Sequence, residues 1–293
     1  MKGSFTMNIF KYHKISDSLY IIAEAIDQKQ QSLMSFALVI GKEKAAIIDT
    51  GFGLTGNLKE FIQTITNKPI ICLLTHGDPD HVGGSGQFST VYMNTKDEDL
   101  ANEAMDPKLR LLSAKLFSEN NEELIKYAET HITSTPDNKM HYLPIQNEQH
   151  FDLGEVSIEA IYTPGHSQGS VCFYNEKDNY LISGDSIAVK TFAQLAEPRC
   201  TSLDIYLDSL EKVKQRIKTD TKIYSGHRLD AFPYNFIPNM IICCKDLLAT
   251  KGKNDKPYVM RFKEMRQDNL NPRVHQLSNS EVSIQYLAVP NGF

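Results

Sequence analysis

This chain has no long apolar run, no leader-like N-terminus, no paired-cysteine motif and no excess of positive charge, and each absence excludes something. None of its apolar stretches approaches the roughly 18 residues needed to cross a bilayer, so no membrane partner is expected. The opening segment MKGSFTMNIFKYHKISDSLY contains no continuous apolar core followed by a small-residue cleavage site, and it does not read as a signal peptide. The five cysteines, Cys72, Cys172, Cys200, Cys243 and Cys244, are odd in number, scattered and free of any CxxC pair. Reduced thiols in a cytoplasm fit that pattern better than a disulfide framework. Cys72 and Cys172 lie in apolar strand-like runs and are expected as small core hydrophobes. The formal net charge of −5 gives no basic field, so nucleic acid is not expected as a partner. No internal period of 20–50 residues and no low-complexity linker appears, which disfavours repeats and a tethered second domain.

What is present reads as one α/β domain over residues 1–293 (41% hydrophobic, 23% charged), an ordinary balance for a folded protein. SLYIIAEAI, SFALVIG and KAAIIDTG are short β-prone runs separated by polar turns. TGNLKEFIQTIT spaces Leu58, Phe61, Ile62 and Ile65 as a helix, and KPIICLL follows as a buried strand. Residues 96–131 read as a helical insert over the site. EVSIEAIY alternates polar and apolar and predicts a strand with one face to the core. SVCFY and NYLIS are further strands. TSLDIYLDSLEKVKQRIK predicts an amphipathic helix with Leu203, Leu207, Leu210, Val213 and Ile217 on one stripe, capped by Thr201 or Ser202. After KIYSGH, residues 229–293 form a C-terminal extension with a helix near Pro238–Leu248, whose Cys243 and Cys244 fall on a buried face, and a last strand VSIQYLAV.

Four places share one grammar: an apolar strand, a tight glycine turn, then a ligand-type residue. They are THGDPDH, holding His76, Asp78, Asp80 and His81; TPGH, ending in His166; SGD, ending in Asp185; and SGH, ending in His227. Strand ends hold side chains rigidly and glycine permits close backbone approach, as a preorganised metal site requires. Mixed imidazole and carboxylate donors suit zinc, iron, manganese or cobalt. The seven ligands divide between two divalent ions: His76, Asp78 and His166 on one, Asp80, His81 and His227 on the other, with Asp185 bridging. Each piece alone is an ordinary turn, and Asp-Pro-Asp is a good turn sequence. All four together, each at a strand end, exceed what turn propensity produces. His13, His131, His141, His150 and His275 stand alone and read as surface or hydrogen-bonded structural residues.

At these residues the sequence resembles the metallo-β-lactamase-fold hydrolase superfamily, whose signature is HxHxDH followed by a distant His, Asp and His. IIDTG at 47–51 resembles that family's early Asp-Thr-Gly turn. The resemblance runs from about Leu19 to Arg228 and implies an αββα sandwich with a mono- or dinuclear site between the sheet edges. It maps the metal positions to His76, Asp80, His81, His166, Asp185 and His227, with Asp49 supporting them from behind. Asp78 departs from the pattern, because the family usually has histidine there. It is either a ligand that shifts preference toward iron or manganese, or too short to reach, leaving the first site weak, or a mark of decay. The flavodiiron branch is similar in carrying a carboxylate at this place.

The expected reaction is hydrolysis of an ester, thioester, lactone or related bond in a small molecule by hydroxide generated at the metal, with Asp80 orienting the nucleophile or taking its proton. The nearest general type is the glyoxalase-II-like thioesterases and lactonases. Two rivals stand beside it: a di-iron redox protein with a separate electron donor, and a non-catalytic metal- or ligand-binding member of the fold. Arg199, Arg228 and Tyr234 are candidates for gripping an anionic or aromatic group. The sequence allows a homodimer without marking one.

Overall fold

A computed structural model describes residues 7–26, 33–118, 121–135, 137, 139–193, 199–258, 272–278 and 280–287. Two β-sheets face each other with helices on both outer sides. The first holds β1 (Phe10–Lys14), β2 (Leu19–Ala25), β3 (Leu33–Ile40), β4 (Ala45–Ile48), β5 (Ile70–Leu73), β6 (Val91–Met93) and β7 (Leu143–Pro144), side by side in that order. Strands β1 to β4 form an antiparallel meander, and β4 to β7 pair in parallel. The second sheet holds β8 (His150–Asp152), β9 (Ser157–Tyr162), β10 (Val171–Asn175), β11 (Tyr180–Gly184) and β13 (Lys222–Ser225), in the order β13-β11-β10-β9-β8. A smaller sheet joins β12 (Lys190–Phe192) to three strands of the C-terminal segment, β14 (Lys256–Pro257), β15 (Pro272–Gln276) and β16 (Ser283–Leu287), in the order β12-β16-β15-β14.

Period-two alternation explains the layering. In β2 and β4, Ile21, Ala46 and Ile48 point between the two sheets, where Ile158, Ala160, Phe173 and Ile182 meet them. Their alternates Ile22, Ala45 and Ile47 point outward onto helix α1 (Leu58–Gln63) and its neighbours. A strand apolar on both faces must be covered on both, and this sheet is. On the far side, α6 (Leu203–Arg216) and α7 (Phe236–Thr250) cover the second sheet.

Three details differ from the sequence reading. In β9 both faces are buried, because α6 covers the polar one and supplies Arg216 as the ion-pair partner of Glu159 at 2.5 Å. Ser202 occupies the N-cap of α6, but its hydroxyl makes no capping bond. Helix α7 starts two residues before Pro238, which sits in the first turn where its missing N–H costs little. All five cysteines are buried and outside any disulfide. No helix among the described residues is long and apolar enough to cross a membrane.

Residues 96–131 contain three helices, α3 (Glu98–Ala104), α4 (Pro107–Phe117) and α5 (Glu122–His131). Helix α4 inverts the usual pattern: Arg110 is fully buried while Leu112 is exposed. Its guanidinium donates to four backbone carbonyls, those of Phe52 (2.9 Å), Gly83 (2.7 Å), Met105 (3.1 Å) and Thr133 (2.5 Å).

Candidate metal centre

The ligand-type residues meet at one edge of the sandwich. Strands β9, β11 and β13 run the same way, since β10 is antiparallel to β9 and β11 while β11 and β13 are parallel. Their C-terminal ends therefore deliver His166, Asp185 and His227 to a common edge. Opposite them, the chain leaving β5 turns through His76 into a one-turn helix α2 (Pro79–Val82), which carries Asp80 and His81. Cross-sheet bonds clamp the two edges: the Ser35 hydroxyl lies 3.0 Å from the Ser225 carbonyl, and the Val171 N–H donates to the Thr75 carbonyl at 2.8 Å.

Asp49 orders the histidines. It adopts a left-handed backbone (φ 65°), which Asp tolerates better than most residues. Its carboxylate accepts the Thr75 N–H at 2.8 Å, the Thr75 hydroxyl at 2.7 Å and His81 Nδ1–H at 2.8 Å. Thr75 Oγ1, having donated its proton, accepts from His76 Nδ1 at 3.0 Å. Both rings therefore carry their proton on Nδ1 and turn the Nε2 lone pair inward, the arrangement seen when a carboxylate fixes a metal-binding imidazole. Asp49, expected only as support, fills that role geometrically.

Three groups have donor atoms lying within 4.8 Å of one another: His76–Asp78–His166, His76–His81–Asp185 and Asp80–His81–His227. The seven expected ligands are thus brought together, while none of the five lone histidines appears in these groups. Asp185 Oδ2 lies 3.1 Å from His227 Nε2 and 3.9 Å from His166 Nε2. Asp185 Oδ1 lies 3.6 Å from His81 Nε2. Asp80 Oδ2 lies 3.6 Å from His227 Nε2 and 3.9 Å from His81 Nε2. Such spacings match donors around an ion at about 2.0–2.2 Å, whose tetrahedral edges are about 3.3–3.6 Å.

The donor set fits a divalent cation on its own chemistry. Among the described residues, His76 Nε2, His81 Nε2, Asp78 Oδ1 and Asp185 Oδ1 are buried without a hydrogen-bond partner, and buried polar atoms are seldom left so. Burial opposes charge on His81, yet Asp49, Asp80 and Asp185 outweigh it and raise its pKa to about 10. His227 rises to about 9, burial again being outweighed, chiefly by Asp185. The centre thus holds surplus negative charge that attracts cations, and an incoming ion must displace protons. Gly226 keeps the space open: a Cβ there would lie 2.6 Å from His81 Cε1 and 2.8 Å from Asp185 Oδ1. Gly165 of TPGH has a different reason, because the Tyr206 ring packs where its Cβ would be, at 2.2 Å.

Residues 33–227 match the family model for the metallo-beta-lactamase superfamily. The chain belongs to that superfamily. Among its relatives is the human acyl-coenzyme A thioesterase MBLAC2, 22% identical over 201 residues. That match covers 61% of this chain and 66% of the human protein, just under two thirds of its length. Among solved structures, the protein TTHA1623 in a di-iron-bound form is 22% identical with a TM-score of 0.51, covering 69% of this chain and 91% of that one. The metallo-beta-lactamase FIM-1 from Pseudomonas aeruginosa in a mono-zinc form is 14% identical with a TM-score of 0.57, covering 82% of this chain and 97% of that one. At such identities the likeness is one of fold.

The three candidate substrate residues part company. Arg199 reaches into the centre and pairs its Nη2 with Asp78 Oδ2. Arg228 turns aside, its guanidinium 4.3 Å over the Phe232 ring. Tyr234 is a correction. After His227 the chain folds back so that Phe232 pairs with Ile223, near the start of β13. Tyr234 then lies against the outer helix layer with its hydroxyl 3.5 Å from the Lys214 carbonyl, away from the ligand edge. Closeness in sequence to His227 misleads here because the strand reverses.

Sequence reasoning missed Asp97. Its carboxylate accepts the Gly77 N–H (3.0 Å), the Ser167 hydroxyl (2.6 Å) and the Gly169 N–H (2.6 Å), tying the HGDPDH turn to the TPGH loop. In TKDEDL it looks like any acidic residue at a helix start, and no local signal separates it. Arg110 did carry a signal, a charge at the spacing of Ser113 and Ala114 on the buried face of α4.

Proposed function

We propose that this chain is a metal-dependent hydrolase cleaving an ester, thioester or lactone of a small molecule. The observation that carries the reading is the convergence of unpartnered buried donor atoms on His76, His81 and Asp185, with two rings oriented from behind by Asp49 and Thr75. A divalent ion held there supplies a Lewis acid and lowers the pKa of bound water toward about 7. His81, Asp185, His227 and Asp80 hold the ion. Asp80 would also orient an attacking water, a role its shallower burial supports, at 12% against 2% side-chain exposure for His81. The thioester class gains support from the human acyl-coenzyme A thioesterase among the relatives.

The test is turnover of metal-loaded protein on a panel of acyl-coenzyme A thioesters, aryl esters and lactones. Activity is expected to vanish with chelator, return with metal, and fall at least about 100-fold in His81→Ala and Asp185→Ala, the range for losing groups that hold a catalytic ion. Turnover that survives in both variants, or none on the whole panel by fully loaded protein, overturns the reading.

A further inference from the structure

We propose that the Arg199 guanidinium takes the place of a first ion, so that this chain holds one divalent ion, in the half of the centre formed by Asp80, His81, Asp185 and His227. The inference rests on the metal reading above and replaces the sequence expectation of two ions.

Asp78 stands at the N-cap of α2, where an aspartate usually accepts a backbone N–H, yet its side chain makes no capping bond. It turns inward instead, and its Oδ2 lies 3.1 Å from His166 Nε2 and 3.4 Å from His76 Nε2. This is the oxygen that would complete a first metal site. Arg199 Nη2 pairs with that same Oδ2, although Asp78 Oδ1 is buried without a hydrogen-bond partner among the described residues. A guanidinium merely supporting a ligand from behind would take the outer oxygen and leave the inner one to the ion. Here the inner oxygen is taken.

Charge separates the two halves. The first contains one carboxylate, cancelled by the Arg199 cation, and two imidazoles. The second contains the carboxylates of Asp80 and Asp185 with two imidazoles. A divalent cation favours the half with two carboxylates and no fixed guanidinium, and a second cation beside the guanidinium meets like-charge repulsion. Asp185 leans the same way, nearer His227 (3.1 Å) than His166 (3.9 Å).

Arg199 is anchored where it acts. Next to it, Cys200 Sγ donates to the His166 carbonyl at 3.0 Å and the Thr201 N–H donates to the Gly165 carbonyl at 2.9 Å. The backbone bearing the guanidinium is thereby laced to the loop bearing His166. The unusual carboxylate at 78 follows physically: an imidazole there would take away the one carboxylate that pairs directly with the guanidinium. In the hydrolase, Arg199, with a side chain 35% exposed, would then supply N–H donors suited to an acyl oxygen as it gains negative charge.

The experiment counts metal rather than turnover. Wild type, Arg199→Met and Arg199→Met/Asp78→His are loaded with excess zinc or cobalt(II), freed of loose metal, and measured by elemental analysis and native mass spectrometry. We expect about one ion per chain in wild type and about two in each folded variant, since removing the cation frees the first site's donors, a carboxylate with two imidazoles in the single variant and three imidazoles in the double one. About two ions in wild type, or about one in the folded variants, overturns the proposal while leaving the hydrolase reading intact. No bound ion in any of them overturns both. Should the variants fail to fold, cobalt(II) titration of wild type decides: visible absorbance saturating at about one equivalent supports the proposal, and a further rise to about two overturns it.

Discussion

Replacing Arg110 by methionine tests whether the helices after β6 are structurally bolted to the ligand loops. The side chain is fully buried and donates to the carbonyls of Phe52, Gly83, Met105 and Thr133. Hydrogen bonds from a charged donor are worth about 1.5–3 kcal/mol each, so the four sum to about 6–12 kcal/mol. Against this stands the cost of burying the cation. Desolvation lowers the guanidinium pKa to about 10, partly countered by Glu24; that lowering corresponds to about 3 kcal/mol relieved by an uncharged side chain. The remainder is about 3–9 kcal/mol, and water entering beside the freed carbonyls favours the lower end, near about 4 kcal/mol. Urea denaturation reads it as a lowered midpoint at unchanged slope. A loss below about 1 kcal/mol would show the four bonds to be energetically idle and would refute the reasoning.

Two further outcomes follow from buried groups near the centre. Burial lifts the Glu24 carboxyl from 4.5 to about 8, against the bond from the Phe52 N–H. A folded-state pKa above the unfolded one means stability is full below about pH 4.5 and falls by about 1.4 kcal/mol per unit up to about pH 8. Glu24→Gln should remove that share of the slope in denaturation series across the window, and an unchanged slope sinks the assignment. Gly226→Ala places a Cβ 2.6 Å from His81 and 2.8 Å from Asp185, so metal affinity measured by competition with a chromogenic chelator should fall about 10–100-fold, as when groups positioning ligands are lost. Wild-type affinity in that variant would mean the edge yields more readily than its packing implies.

The sequence was most informative where one strand end packs chemistry into consecutive residues. THGDPDH, TPGH, SGD and SGH are legible because each follows an apolar run and each puts a ligand-type side chain just past it. The layering was legible for a similar reason: β2 and β4 are apolar on both faces, and only a sheet covered twice uses such strands. What stayed hidden are the contacts made across the fold. Arg199 and Asp78 are 121 positions apart, Arg110 and Phe52 are 58 apart, and Asp97 and Gly169 are 72 apart. Arg199 and Asp97 each look locally like a solvated charge, and the spacing that puts Arg110 on the buried face of α4 does not name its partners. Asp78 is intermediate. Its oddity shows in the sequence, but the reason for it lies in a guanidinium that only the folded chain delivers.

Those long-range contacts also settle which side of the centre is open. Asp97, just before α3, binds Gly77, Ser167 and Gly169, while Arg110 on α4 binds the Phe52 and Gly83 carbonyls beside Asp49 and His81. Swinging these helices away would strand two buried charges without partners, a cost of several kcal/mol for each. They are therefore a fixed wall, not a lid. Exposure agrees: the side chains of His76, His81 and His166 are 2% exposed, whereas His227 is 34% and Arg199 is 35%. In the proposed hydrolase a substrate is expected to arrive past His227 and Arg199, near the Phe192 ring that lies 6.1 Å from His166 and 6.1 Å from Tyr258. Substrate choice in the proposed hydrolase is then expected of Phe192, Arg199 and Tyr258 more than of the helices that brace the opposite wall.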